Sequence, residues 1–237
     1  MTLAELINAA RNRALDNSGH ELTATDETLT LYLNEAEREA CWRKSLLIAA
    51  SFPEAITAGA DELDGASISR VQIDAGKQFY PLDPDVIFIR RAQLGLSPTP
   101  LAAANVRDLD HAITTWSYLL GTPTHFVTGL DSPDLPALRL YPIPLVDDVA
   151  FLTVAHLPLT EMTDLEDSPE IPERWQLHLI DWALYRSYGQ FEGEAERAAG
   201  YLVAFTGNFG SREDNIAAEN QRLIEAANAM PWMTGVY

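Results

Sequence analysis

Proline is distributed very unevenly along this chain of 237 residues. A proline inside a helix removes a backbone hydrogen bond and clashes with the preceding turn, whereas turns and strand edges tolerate it. Ten of the fourteen prolines lie in the middle of the chain, at Pro81, Pro84, Pro98, Pro100, Pro123, Pro133, Pro136, Pro142, Pro144 and Pro158. This part of the chain is therefore predicted to form short strands joined by fixed turns, and not long helices.

The N-terminal part shows helical periodicity instead. In residues 2–52, apolar side chains recur every three or four positions, which predicts two helices separated by the stop signal Asn17-Ser18-Gly19. Thr25 is expected to cap the second helix, with acidic residues at the positive end of its dipole. Pro53 is expected to end that helix, which places Leu47 on its apolar side.

The C-terminal part returns to helical spacing from Pro169 onward. Pro172 suits a first helical turn and Gly189 an end, while a second helix is predicted over 192–206 with Gly207 as its stop. Ser211 opens a third helix. The aromatic residues of this region recur at helical spacing and are expected to pack in the core: Trp175, Trp182, Tyr185 and Tyr188.

Several segments of the middle part have strand character. Residues 67–74 alternate apolar and polar side chains, and Ala75-Gly76 turns the chain into 77–82, which predicts a β-hairpin. Further strands are predicted at Val86–Leu94, His125–Leu130, Leu138–Tyr141 and Val149–Leu157. One helix over 106–120, capped by Asn105 or Asp108, interrupts them.

These regions together predict an α+β fold. The N- and C-terminal helices are expected to form one helical bundle, with a β-rich insert between them in the sequence. The predicted boundaries are 1–60 for the N-terminal helices, 61–165 for the β-rich insert, and 166–237 for the C-terminal helices and a docking tail.

The charge of the chain excludes several classes of function. Acidic side chains outnumber basic ones by 35 to 16, the formal net charge is -19, and lysine occurs only at Lys44 and Lys77. Proteins that coat nucleic acids or anionic membranes need clustered Lys and Arg, which this chain lacks.

A content of 47% apolar residues is enough for a folded core, but the longest apolar stretches are far below the ~20 residues that span a bilayer. No secretory signal is visible, and we expect a protein made in a reducing cytoplasm.

Motifs for catalysis or cofactor binding are weak. The sequence contains no GxGxxG, GxxxxGK[ST] or GxSxG motif, its five histidines show no i, i+4 pair, and the single cysteine, Cys41, excludes a disulfide within the chain. The acidic residues at Asp147-Asp148 and between Glu161 and Glu170 are predicted to lie in solvated loops. We predict no enzyme activity, cofactor or metal. Two alternatives stay open: a metal-assisted hydrolase that uses Asp147, Asp148 and His156, and an acidic binding module or secretion-type chaperone.

The C-terminal segment 230–237 is a candidate docking segment. Pro231 follows the last predicted helix, and large apolar residues then occupy a chain end too short to form a core. The residues predicted to dock on a partner are Trp232, Met233, Val236 and Tyr237. The Ala75-Gly76 turn and the loop from Ser97 to Ala104 are the second-choice contact points with a partner protein.

Blocks along most of the chain resemble the head–tail connector adaptors of tailed bacteriophages. The segment 168–188, SPEIPERWQLHLIDWALYRSY, resembles a sequence block of these adaptors, and LRLYPIP at 138–144 resembles the strand that precedes it. Similar blocks occur at 30–40 (TLYLNEAEREA), 80–83 (YPLD), 86–92 (VIFIRRA) and from Phe205 to Gly210 with the helix that follows. They occur in the same order as in that family.

The resemblance implies a structural virion protein without a cofactor. Such adaptors form a ring, typically of twelve copies, in the neck below the portal protein, and receive tail or nozzle proteins on the other side. DNA passes through the lumen without sequence-specific binding, and assembly takes place in the host cytoplasm. The acidic charge fits this role if it faces the channel, because it would repel DNA.

Overall fold

The computed structural model of the protein describes residues 1–18, 24–53, 68–112, 115–128, 136–191 and 193–229. The helices are α1 Leu3–Ser18, α2 Asp26–Lys44, α3 Val106–Ala112, α4 Glu173–Gln176, α5 Leu179–Tyr188, α6 Ala195–Phe209 and α7 Arg212–Ala229. The strands are β1 Leu47–Ala50, β2 Arg70–Ile73, β3 Phe79–Pro81, β4 Val86–Leu94, β5 Ala102–Asn105, β6 Leu120–Gly121, β7 His125–Thr128, β8 Ala137–Tyr141, β9 Ile143–Pro144 and β10 Asp148–His156. The predicted α+β class is confirmed.

The chain divides into two compact units. Unit 1 consists of Met1–Leu47 and Leu157–Ile216, and unit 2 consists of Ile48–His156 and Ala217–Tyr237. Helices therefore supply most of unit 1, and the strands supply most of unit 2.

The core of unit 1 is built around α5. This helix packs against α1, α2 and α6, and its buried residues include Trp182 and Tyr188. Trp182 contacts Phe205 with ring centroids 5.0 Å apart, and Tyr188 stacks on Tyr201 at 5.7 Å. The prediction that the aromatic residues of this region pack in a core is confirmed for Trp182 and Tyr188, while Trp175 and Tyr185 are half-buried and contact Phe209 and Trp182.

Helix α2 begins where the sequence predicts but ends earlier. The side chain of Thr25 accepts a hydrogen bond from the backbone N–H of Thr28, as an N-cap does. The predicted continuation to Pro53 is wrong, because Ser45 has a left-handed conformation with a φ of 48° and its N–H donates to the Cys41 carbonyl. Residues Leu47–Ala50 form strand β1, which pairs with β10.

A buried carboxylate connects α2 to the start of α7 in unit 1. Glu39 is only 7% exposed and accepts hydrogen bonds from both Arg43 and Arg212. Arg43 also donates to the hydroxyl of Thr206 and to the Gly210 carbonyl. Burial raises the pKa of Glu39, but the hydrogen bonds from the two arginines outweigh this effect, so that its pKa is lowered.

The junction of α6 and α7 lies three residues after the predicted stop at Gly207. Helix α6 continues to Phe209, and Gly210 has a φ of 79°, a conformation that favours glycine. The predicted start of α7 is confirmed, because the hydroxyl of Ser211 accepts from the N–H of Asp214 at 3.0 Å.

The described residues of unit 2 form two four-stranded sheets and one short pair of strands. In the first sheet, β10 pairs with β1, β2 and β4, and in the second the order is β3-β8-β7-β5. Strands β6 and β9 form a separate parallel pair. Alternate residues of β10, such as Ala150, Leu152 and Val154, contribute to the hydrophobic core of the unit.

The predicted β-hairpin over 67–82 is wrong, although its turn exists. Lys77 N–H donates to the Asp74 carbonyl, and Gly76 has a φ of 78°, so the chain does reverse at Ala75-Gly76. The two arms then diverge, because β2 pairs with β10 while β3 pairs with β8.

The predicted helix over 106–120 is also too long. Helix α3 ends at Ala112, a short 3₁₀ helix covers Trp116–Tyr118, and Leu120 begins β6. The side chain of Asn105 accepts from the Arg107 N–H at 2.8 Å, so Asn105 is the residue that caps α3. The predicted strands at Val86–Leu94, Leu138–Tyr141 and Val149–Leu157 are confirmed within one residue, and β7 accounts for the described part of His125–Leu130.

Candidate interaction surface

Unit 2 exposes a group of large apolar side chains on two neighbouring segments, which we call the apolar tip. Its members are Tyr118, Leu119, Leu120, Leu145 and Val146. Tyr118 is 82% exposed and Leu145 is 60% exposed, so both side chains lie largely in solvent. Large exposed apolar side chains grouped on neighbouring segments are a candidate site of interaction with another macromolecule.

Backbone hydrogen bonds hold the two segments of the apolar tip side by side. Leu120 is paired with Ile143 in the parallel pair of β6 and β9, and the Ile143 N–H donates to the Leu119 carbonyl at 2.8 Å. A Cβ at Gly121 would lie 3.3 Å from the ring of Pro142, which shows that the segments approach closely here.

An aromatic cluster supports the tip from within unit 2. Trp116 is buried, meets Tyr141 edge-on with centroids 6.1 Å apart, and packs with Leu109 and Val127. Its indole N–H donates to the Asp110 carboxylate at 2.7 Å, and the Arg139 guanidinium lies 4.1 Å from the indole ring centroid. The exposed residues 118–120 therefore follow a firmly anchored tryptophan.

The Ala75-Gly76 turn lies directly beside the apolar tip. The Gly76 N–H donates to the Pro144 carbonyl at 2.8 Å, and the Ala75 N–H donates to the Asp147 carboxylate at 2.7 Å. A Cβ at Gly76 would meet no atom within 4 Å, so this turn faces open space. The structure thus places two predicted contact residues, Ala75 and Gly76, next to apolar residues that the sequence analysis did not select.

The comparison with protein families identifies the chain. The profile described as the SU10 adaptor protein matches residues 1–230. The chain belongs to this family. No curated protein gives a significant match.

Membership of this bacteriophage head–tail adaptor family confirms the resemblance stated from the sequence blocks. It supports a structural adaptor role, a place in the virion, and interaction with portal and tail proteins in general. It also favours a role without enzyme activity. In the described parts of the adaptor, no helix has the length and apolar character needed to cross a membrane.

The residues of the alternative hydrolase site do not form one site in the adaptor. Asp148 and His156 occupy opposite ends of β10, eight residues apart, which corresponds to about 26 Å of extended strand. The Asp147 carboxylate accepts from Ala75, and the Asp148 carboxylate accepts from the backbone N–H groups of Leu96 and Val149. Both carboxylates thus hold loops together. Among the described residues, no group of three or more His, Cys, Asp or Glu could hold a metal ion.

Cys41 has the environment of an inert thiol. It is completely buried in α2, and burial raises the pKa of its thiol. A thiolate nucleophile needs the opposite shift, so the structure supports a core role for Cys41.

The acidic segment from Glu161 to Glu170 is a loop with defined contacts. The Asp167 carboxylate accepts from the N–H groups of Thr163 and Asp164, and these hydrogen bonds lower its pKa. The carbonyls of Leu165 and Asp167 in turn accept from Ala4 and Leu3 at the start of α1. The loop prediction holds, but part of the segment caps a helix of unit 1.

The other predicted contact points have different outcomes. Trp232, Met233, Val236 and Tyr237 lie outside the described residues. In the segment from Ser97 to Ala104, only the first part is a loop, because Ala102–Ala104 belong to β5 and pair with β7. The exposed apolar residues Tyr118, Leu119, Leu145 and Val146 were missed, because an apolar residue near a proline-rich turn is as compatible with burial as with exposure.

Proposed function

We propose that this adaptor forms a ring of twelve copies in the neck of the virion, between the portal protein and the tail. The support is the family match across residues 1–230, together with a subunit that combines a helical unit and a β-rich unit with an exposed apolar tip. Identical subunits in a ring meet through heterologous contacts, in which two different surfaces of each copy are used. The N- and C-terminal helices act as one bundle that forms the body of each subunit.

The apolar tip and the adjoining Ala75-Gly76 turn are the proposed contact with a tail or nozzle protein. A rigid apolar projection can insert into a pocket of a partner, and Trp116 and the paired strands β6 and β9 hold this one in place. The segment 230–237, with Trp232, Met233, Val236 and Tyr237, is the proposed contact with the portal protein.

DNA passes through the lumen of the proposed ring without specific binding. The net charge of -19 per copy supports this step, because acidic side chains facing the channel would repel the phosphate backbone. The isolated protein is expected to be monomeric or weakly associated, and to complete its ring on the portal.

Electron microscopy of purified connectors and virions tests this function. We expect density for a ring of adaptor copies directly below the portal, and a position outside the neck would contradict the proposal. A chain truncated after Ala229 should keep its fold but lose attachment to the capsid.

A charge at the apolar tip tests the tail contact separately. Leu145→Glu should leave the ring on the portal but prevent attachment of the tail, because the tip would carry a carboxylate into an apolar contact. Leu31→Glu, at a residue of α2 with similar exposure, is the matched control and should leave both attachments intact. Normal tails on the Leu145→Glu particles would place the contact elsewhere.

A further inference from the structure

Unit 2 carries a pocket of about 510 Å³ on its surface, which we call the arginine pocket. Its apolar walls come from Phe52, Pro53, Leu96 and Pro98, and its polar side comes from Arg91 and Gln93. Leu96 is 73% exposed and Phe52 is 46% exposed, so the walls are open to solvent. Apolar walls with a few polar groups are typical of a pocket that receives a protruding side chain.

Arg91 gives the pocket a positive charge and a hydrogen-bond donor without an acceptor. One of its terminal nitrogens donates to the side-chain oxygen of Gln93, and its guanidinium lies 5.3 Å from the Phe52 ring centroid. The other terminal nitrogen, Nη1, is buried and has no hydrogen-bond partner in the described part of the chain. The nearby Asp148 carboxylate accepts from the Leu96 N–H instead. A buried donor without an acceptor is unfavourable, so a carboxylate from outside the pocket suits Arg91 both in charge and in hydrogen bonding.

The acidic loop of unit 1 carries a group with complementary properties, which we call the Leu165 knob. It consists of Asp164, Leu165 and Glu166. Leu165 is 56% exposed, and the acidic residues on both sides of it are also exposed. The knob thus presents one large apolar side chain between two carboxylates, which matches a pocket with apolar walls and one arginine.

Backbone contacts hold the Leu165 knob in place before any partner binds. The Leu165 carbonyl accepts from the Ala4 N–H at 3.1 Å. Just before the knob, Met162 is buried, and its N–H and carbonyl form hydrogen bonds of 3.0 and 2.9 Å with the side-chain amide of Asn34. A segment that is already ordered loses little conformational freedom when it docks, so the knob is suited to insertion.

We propose that the Leu165 knob of one copy inserts into the arginine pocket of the next copy. Leu165 then lies between the apolar walls, and a carboxylate of Asp164 or Glu166 accepts from Arg91. The occupant of the pocket is a second copy, because this chain itself supplies both complementary halves. The contact is heterologous, with a different surface from each copy, as a closed ring requires. This inference rests on the proposed ring and names the surfaces that join its subunits.

The proposed contact is compatible with the charge of the subunit. Each contact pairs a single arginine with the knob, while every copy keeps a net charge of -19. Repulsion between copies therefore still opposes assembly at low salt. The apolar part of the contact, between Leu165 and the walls of the pocket, does not depend on salt.

Engineered cysteines in the full-length chain test the pairing. The variant Leu96→Cys/Leu165→Cys is oxidised in connectors assembled with the portal, while the buried Cys41 leaves little background. We expect a ladder of covalent oligomers, because each copy offers both partners. A mixture of the two single variants should give a dimer and nothing larger. The matched control is Leu96→Cys/Val203→Cys, which moves the second cysteine to an exposed residue of α6 and should cross-link far less.

Charge reversal in the same cysteine pair tests the role of the arginine. Arg91→Glu and the double change Asp164→Lys/Glu166→Lys should each lower the yield of cross-links by about tenfold or more, because like charges then meet. The combination of all three changes in one chain should restore the yield. Glu173→Lys/Glu225→Lys is the matched control for the double change, because it alters the net charge equally at other exposed positions and should keep the yield.

The outcomes separate this inference from the proposed function. A ladder, with dimers only in the mixture and with rescue by the combined reversal, supports the contact. A disulfide within one chain and no ladder would show that a copy fills its own pocket, and would overturn a second copy as the occupant. Failure of the combined reversal to restore the yield would also overturn the proposal. Rings visible by electron microscopy without cross-links would overturn the contact but leave the proposed function, while the absence of both would overturn both.

Discussion

At the scale of single residues, Glu37 is the group whose titration should affect stability most directly. It is 1% exposed, its carboxylate accepts from the Ile171 N–H at 3.0 Å, and burial raises its pKa from 4.5 to about 7. Between these values the folded protein holds a proton that the unfolded chain has lost, so stability falls as the pH rises through this window. The pKa difference corresponds to a decrease of ~3 kcal/mol in the free energy of unfolding.

Glu37→Gln should remove most of this pH dependence, because glutamine stays neutral and its side-chain oxygen can still accept from Ile171. The measurement is urea unfolding at a series of pH values between 4.5 and 7.5. Glu35→Gln is the control, because it changes a more exposed carboxylate that pairs with Arg186. It should keep the wild-type slope of the free energy of unfolding against pH. Equal slopes for Glu37→Gln and the wild type would contradict the prediction.

Glu39 should contribute more to stability than any exposed carboxylate of unit 1. Glu39→Ala leaves Arg43, itself largely buried, without its carboxylate partner, and removes the bond that holds Arg212. Removing one partner of a buried ion pair costs about 3 kcal/mol or more. Glu194→Ala, which breaks the more exposed pair with Arg197, should cost about 1 kcal/mol or less in the same denaturant titration.

At the scale of secondary-structure elements, α6 should tolerate alanine in its interior but not at its end. Gly200→Ala places a methyl group in open space and should raise the free energy of unfolding of the dilute protein by about 0.5–1 kcal/mol. Gly210→Ala is the matched control with the opposite sign, because the φ of 79° at this position strains any other residue. Thermal unfolding of both variants gives the comparison, and destabilisation by Gly200→Ala would contradict the prediction.

The elements that the sequence predicts well are those defined by local signals. The N-cap at Thr25 and the strand Val86–Leu94 depend on nearby residues, and both were predicted correctly. Leu47–Ala50 was assigned to a helix, because a short apolar run has no period of its own and only pairing with β10 makes it a strand. The Ala75-Gly76 turn was found, but no local signal says that its two arms join different sheets.

The candidate surface was predicted only in part for the same reason. Ala75 and Gly76 were selected from turn chemistry, while Tyr118 and Leu145 lie on two segments that come together only through the pairing of β6 and β9, two strands of two residues each. Pairing between such short and distant segments leaves no pattern in the sequence.

At the scale of the whole molecule, the net charge should make assembly depend on salt. Raising the ionic strength from about 0.01 M to about 0.1 M shortens the Debye length from about 30 Å to about 10 Å, which screens the repulsion between copies of charge -19. If the contacts between copies contain few ion pairs, this screening removes little attraction. We therefore expect self-association, measured by sedimentation velocity at fixed protein concentration, to strengthen as salt is added. Weaker association at higher salt would show that ion pairs between copies dominate the contact, and would contradict the prediction.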